Sequence, residues 1–179
     1  MAEPAVHELT ESDAEVKIIW RAFELRPEPV PMIDPNSEYL QRVWTESVSP
    51  LAERLGVTMR FPPVKPRTRL THEAAHWARS QHRFDDYHDK IFRAFFERGE
   101  DIGDVEVLTA LALELGLDGG SLQQALITHE FAESVVADEQ DAALMGVSGV
   151  PAFIANQKAA LSGVQPVENL TKLIASVRA

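Results

Sequence analysis

The order of residues around Gly146–Pro151 limits the folds open to this chain more than any other feature. From Thr71 to Leu144 the apolar residues step by three and four, as in Phe84, Ile91, Phe92, Phe95 and Phe96, then Val105, Leu108, Leu111, Ala112 and Leu115. That spacing predicts four or five short amphipathic helices, with Gly99 and Gly116 as stops and Thr71 as a cap. Gly146 and Gly149 break the pattern, Pro151 follows, and the period drops to two. Phe153-Ile154-Ala155 reads as a strand, Asn156-Gln157 as a hairpin turn and Ala159–Val164 as the return strand. Pro166 stands where a helix would begin, and Val167, Leu170, Leu173, Ile174 and Val177 give that helix one apolar face.

Upstream of the helical block, residues 15–25 alternate, with Val16, Ile18, Trp20 and Ala22 on one side and Lys17, Ile19, Arg21 and Phe23 on the other. This predicts a strand buried on both faces. Pro27, Pro29, Pro31 and Pro35 make the next stretch an extended connector. Residues 37–55 read as a helix that Pro50 kinks and Gly56 ends. The plan is a strand, a block of helices, a hairpin and a helix, within the 179 residues of one domain.

Composition removes several classes of function. The net charge of −11, spread along the chain, disfavours phosphate backbones and anionic membranes, so neither a nucleic acid nor a membrane is an expected partner. The chain has no cysteine, which excludes disulfides, thiolate nucleophiles and cysteine-based metal sites. Met1–Val16 lacks the basic and apolar regions of a signal peptide, which points to the cytoplasm if Met1 is the native start.

Four segments, in register, resemble one family. Gly146-Val147-Ser148-Gly149-Val150-Pro151-Ala152-Phe153-Ile154 is similar to the cis-proline loop of DsbA-family proteins, closest to the FrnE-like and 2-hydroxychromene-2-carboxylate isomerase-like branch. Ala160–Pro166 resembles the strand and helix start that follow. Trp20–Pro27 is similar to the family's second strand, and Ile91–Phe96 with Gly99–Ile102, Val107-Leu108 and Gly116–Asp118 to its helical insert.

The resemblance implies an α/β, thioredoxin-like fold of the DsbA type. Residues 15–25 and 151–179 would form the thioredoxin part and about 37–145 the helical insert of a single domain, 1–179. It also implies that Pro151 is cis, that Val150 faces the active-site dithiol, and that Gly149, Val150 and Pro151 hold a substrate peptide by short β-addition. Protein thiols or disulfides would be the substrates. In the isomerase branch a serine and glutathione would replace the dithiol.

The family's opening unit (strand, Cys-x-x-Cys and long helix) has no counterpart here. The strand at 15–25 is preceded only by an acidic stretch that reads as the tail of the first helix, with His7 and Leu9 as remnants. Three explanations stand: a start codon internal to a longer protein, a truncation completed by another chain as in a homodimer covering the exposed sheet, or a cysteine-free binding module. No catalytic residue of the family is expected within the chain.

One competing motif carries chemistry of its own. His72-Glu73-Ala74-Ala75-His76 matches the zinc-protease pattern, with His82 as third ligand and Met145 as a later methionine turn. Arg79 stands where the pattern needs glycine, and in a continuous helix His82 would lie about 15 Å along the axis from His72. The expectation is a surface helix with exposed histidines, with Leu70, Ala74 and Trp77 on the core and no metal bound. Asp85, Asp86 and Asp89 read as a solvated face, Ser148 and Ser162 as turn residues, Phe92, Phe95 and Phe96 as core, and Arg67 and Arg69 beside Thr68 as surface cations.

Overall fold

The computed structural model describes residues 1–178, which fall into two compact units: Met1–Arg21 with Gln140 onward, and Ala22–Glu139.

The first unit is a small two-layer structure. Helix α1 (Glu3–Ser12) starts with Pro4 in its first turn and buries Val6 and Leu9. The strands β1 (Ala152–Ala155) and β2 (Ala159–Ser162) pair antiparallel, Phe153 opposite Leu161 and Ala155 opposite Ala159. Asn156 and Gln157 turn between them, both with positive φ (47° and 57°), the conformation a tight two-residue hairpin requires. Helix α9 (Val167–Arg178) buries Leu170, Leu173 and Val177. Val6, Leu9 and Leu170 form one apolar cluster, against which Val16, Trp20 and Phe153 pack. Arg178 closes the far end of the helix pair on Asp13 at 2.6 Å.

The second unit is helical. Helix α2 (Glu38–Val43) is capped by Ser37 and runs through a π-helical turn, Trp44–Val48, into α3 (Ser49–Arg54). Helices α4 (Arg69–Ser80), α5 (Phe84–Arg93), α6 (Val105–Glu114) and α7 (Gly119–Ile127) follow, and α8 (Ala132–Leu144) leads out of the unit. Asp104 and Asp118 cap α6 and α7 by accepting from Glu106 N–H (2.8 Å) and Ser121 N–H (3.1 Å). The core is a single cluster in which Trp77, Tyr87, Leu108, Leu111, Leu122 and Leu126 interlock. Tyr87 donates its hydroxyl to the Leu108 carbonyl at 2.8 Å, so the buried phenol leaves no polar atom unpaired.

Three expectations are corrected. Residues 15–25 are extended but pair with no strand among the described residues, and they are not buried on both faces: Ile18 and Ile19 are 39% and 67% exposed. At Ala22 and Glu24 the reason is visible. Their N–H groups donate to the side chains of Asp138 (2.9 Å) and Glu139 (3.1 Å), which take the place of a neighbouring strand. Thr71 lies inside α4 and donates to the Ile102 carbonyl at 2.6 Å, so it ties α4 to a loop rather than capping a helix. Phe92, 38% exposed, and the half-buried Phe96 lie outside the core on an aromatic ladder that runs up α5 from Phe84 past His88, whereas Phe95 packs against the core as expected.

Candidate active-site loop and a buried polar cluster

The loop before β1 is built by its two ends. Helix α8 stops at Gly146, which takes φ 73°, while Gly146 N–H donates to Ala143 C=O (3.0 Å) and Val147 N–H to Ala142 C=O (2.9 Å). These bonds satisfy the last carbonyls of the helix and turn the chain out of it. At the other end Gly163, φ 76°, donates its N–H to Pro151 C=O at 2.8 Å and fastens the loop to the hairpin. The Val150–Pro151 bond is cis.

Between these anchors Val150 projects, 49% exposed. Among the described residues its N–H and C=O have no hydrogen-bond partner. A methyl group placed on Gly149 would meet nothing within 4 Å, so the approach to the loop is open. Ser148 lies in this loop, whereas Ser162 ends β2 and so belongs to a strand rather than a turn. What the loop offers chemically is a backbone donor and acceptor beside an apolar side chain. It holds no nucleophile.

His72 and His76 are not on the surface, which corrects a further expectation, whereas His82 is exposed. Arg69, His72 and His76 share the face of α4 opposite Ala74, Trp77 and Ala78, and that face is covered by polar groups. Arg69 forms an ion pair with Glu24, whose side chain is 3% exposed, at 2.6 Å, and reaches Glu139 at 3.3 Å. His76 Nε2 lies 3.0 Å from Asp138 Oδ2. The His72 ring hydrogen-bonds the backbone of Phe23, and burial holds its pKa down at about 4. Burial likewise pushes the Glu24 carboxyl up, against the pull of Arg69.

This arrangement is no zinc site. Glu73, the would-be general base, is buried at 1% exposure and bonded to His129 Nδ1 at 3.1 Å. Helix α4 ends at Ser80, and His82 follows in a left-handed conformation, φ 57°. Among the described residues no group of three or more His, Asp or Glu side chains is arranged to hold a metal ion. Of the remaining candidates, Asp85 and Asp86 open α5, and Asp86 and Asp89 bond to Arg83 and Arg93. Arg67 donates to the Arg26 carbonyl at 2.8 Å.

The polar cluster was the feature that sequence reasoning missed. Its signal lay in the spacing Arg69, His72, His76, a polar stripe on one face of α4, and in the adjacent acids Asp138 and Glu139, which fall on a single turn of α8.

A βα-type hairpin-and-helix unit entered through a cis-proline loop, joined to a helical unit, defines a thioredoxin-like architecture. The chain belongs to the DSBA-like thioredoxin domain family, which matches residues 1–175. It is 40% identical over 149 residues to the uncharacterized protein YwbO of Bacillus subtilis (strain 168), covering 78% of this chain and 72% of that protein. In three dimensions it is similar to the probable DsbA oxidoreductase SCO1869 of Streptomyces coelicolor, with a TM-score of 0.82 at 23% identity over 99% of this chain and 83% of the other. It is also similar to a candidate protein disulfide isomerase of Nitrosomonas europaea, with a TM-score of 0.72 at 19% identity over 97% and 87% of the two chains. At those identities the two structures share the fold. No helix among the described residues is long and apolar enough to cross a membrane.

Proposed function

We propose that this domain is the substrate-holding part of a FrnE-like thiol–disulfide oxidoreductase of the cytoplasm, and that the sulfur chemistry is carried out by thiols outside these residues. The observation that carries the reading is the exposed Val150 with its unengaged backbone, at the entrance to β1, in a sequence without cysteine. An extended segment of a protein thiol or disulfide substrate pairs with the Val150 peptide groups, as in β-addition, and lays one side chain against Val150 and Pro151. Thiolate attack on a disulfide needs a sulfur donor, so the domain by itself binds without turnover. If the branch is the isomerase-like one, a serine and bound glutathione take the place of the dithiol.

The test uses carboxymethylated α-lactalbumin, an unfolded protein with blocked thiols, labelled for fluorescence anisotropy. The domain binds it, and Val150→Glu, which places a charge where an apolar side chain is received, weakens binding by at least about fivefold. In an insulin-reduction assay the domain scores no higher than buffer. Equal binding by Val150→Glu, or reduction above buffer, overturns the proposal.

A further inference from the structure

Helix α8 ends with the wrong charge for its dipole. Aligned peptide groups leave a negative partial charge at a helix C-terminus, where a basic side chain is the stabilising choice. The last turn of α8 carries no basic residue and holds Asp141 instead. The Asp141 side chain is exposed and has no partner among the described residues. Gly146 and Val147 donate their N–H groups to the Ala143 and Ala142 carbonyls, and the carbonyls of Leu144 and Met145 are left without a donor there. Met145 N–H bonds Asp141 C=O at 3.1 Å, so Asp141 lies one helical turn back from the end, beside both Leu144 and Met145.

The same helix end is apolar. Leu144 is 86% exposed and Met145 39%, and the chain then runs through Gly146 into the loop that presents Val150. No Lys or Arg occurs from 132 to 157. At the other end of the loop, where Gly163 N–H holds Pro151 C=O, the chain continues into α9, whose first turn carries the exposed Glu168. The lysines that follow lie elsewhere. Lys158 is at the opposite end of β1 from Pro151, and Lys172 lines a cavity with Leu161 and Leu173. Both approaches to the loop therefore carry a carboxylate, and the approach along α8 adds exposed hydrocarbon and open carbonyls.

We infer that the last turn of α8 is a subsite for a lysine or arginine side chain of the polypeptide held at Val150. This rests on the reading of Val150 as a substrate-holding position and adds which substrates it takes. A basic side chain is a hydrocarbon stem that ends in a cation. Its stem covers Leu144 and Met145, and its head meets the two open carbonyls, Asp141 and the negative end of the helix. An aspartate or glutamate in the same place meets only acceptors and like charge. A leucine covers the apolar pair and leaves the carboxylate unanswered. The substrates selected are unfolded segments with an apolar residue for Val150 and a basic residue a few positions away, and acidic segments are rejected. The net charge of −11 speeds the encounter with any basic chain. The subsite makes the preference local, which is what a test has to separate.

Fluorescein-labelled peptides without cysteine provide the test. All share the centre Thr-Val-Ala-Val-Thr, flanked on each side by a pair of arginines, of glutamines or of glutamates. In anisotropy titrations with the full chain, the arginine peptide is expected to bind at least about tenfold more tightly than the glutamate peptide, with the glutamine peptide between them. Asp141→Asn weakens the arginine peptide by at least about threefold and leaves the glutamine peptide unchanged. Leu144→Ser also weakens the arginine peptide. Glu106→Gln, which removes an exposed carboxylate from α6, alters neither. Equal binding of the arginine and glutamate peptides overturns the subsite. So do equal effects of Asp141→Asn and Glu106→Gln, which assign the preference to net charge alone. In both cases the reading of Val150 stands if Val150→Glu still weakens the glutamine peptide. Failure of all three peptides to bind overturns that reading and the subsite with it.

Discussion

His72 sets a measurable limit on the acid stability of the helical unit. Its ring lies near Glu139, His76 and Arg69 and bonds the backbone of Phe23, and burial lowers its pKa from 6.5 to about 4. In the unfolded chain it titrates near 6.5, so between the two values the unfolded state binds the extra proton. Stability is therefore complete above pH 6.5, falls as pH drops, and stops falling near pH 4 once the folded state is protonated as well. At about 1.4 kcal/mol per pKa unit the shift corresponds to roughly 3.5 kcal/mol at most. The ring keeps some contact with water, so about 1.5–2.5 kcal/mol is the expected difference between pH 7.5 and 4.5. His72→Gln keeps a donor for the Phe23 carbonyl and removes the titration. Urea unfolding of both proteins at the two pH values isolates the effect, because the other titrating groups cancel in the difference. The wild type should lose about 1.5–2.5 kcal/mol more than the variant on acidification, and the His72 Hε1 proton resonance should titrate near pH 4. Equal losses, or a midpoint near 6.5, would refute the placement of a neutral imidazole under that cluster.

His88, stacked 5.1 Å from Phe84 and edge-on to Phe92 at 4.7 Å, is also held down at about 4 by burial, so His88→Phe should flatten the same pH range; a steeper acid limb in urea melts would contradict it. The buried Glu73 has one partner, His129, and a second oxygen without any. Glu73→Met, which removes the desolvated carboxylate, should be neutral or stabilising by about 1 kcal/mol, whereas His129→Ala should destabilise by about 1–3 kcal/mol; thermal denaturation of the pair checks the asymmetry. Tyr87→Phe deletes the hydroxyl that bonds Leu108 and should cost about 1 kcal/mol, with a loss below about 0.3 kcal/mol showing that the bond adds nothing.

Wherever local chemistry decides the conformation, the sequence was legible. Asn156-Gln157 marked the hairpin, Gly99 and Gly116 the helix ends, and Pro166 the start of α9, each for a reason contained in one or two residues. The apolar stripes of α5, α6 and α7 located the helical core because burial follows the period. Three features depended on distant residues and were misread. Thr71 looked like a cap until the Ile102 carbonyl was seen beside it, and His72 and His76 looked exposed until Asp138 and Glu139 were placed over them. The alternation in 15–25 signalled extended backbone correctly. Whether such backbone becomes a strand depends on a neighbour, and no pattern within the segment supplies that.

That extended segment satisfies its backbone in two different ways along its length. At Ala22 and Glu24 the fold supplies carboxylates from α8, bringing Asp138 and the buried Glu24–Arg69–Glu139 group with them, at the cost of desolvating several charges. At Lys17–Ile19 no such acceptor is placed among the described residues. An edge that merely faced water would carry polar side chains on both sides, as exposed edges generally do to avoid pairing. Here Lys17 stands on the same side as the exposed Ile19, with Ile18 on the other. The two ends of the segment thus differ in whether the described residues place a side-chain acceptor beside the backbone N–H groups.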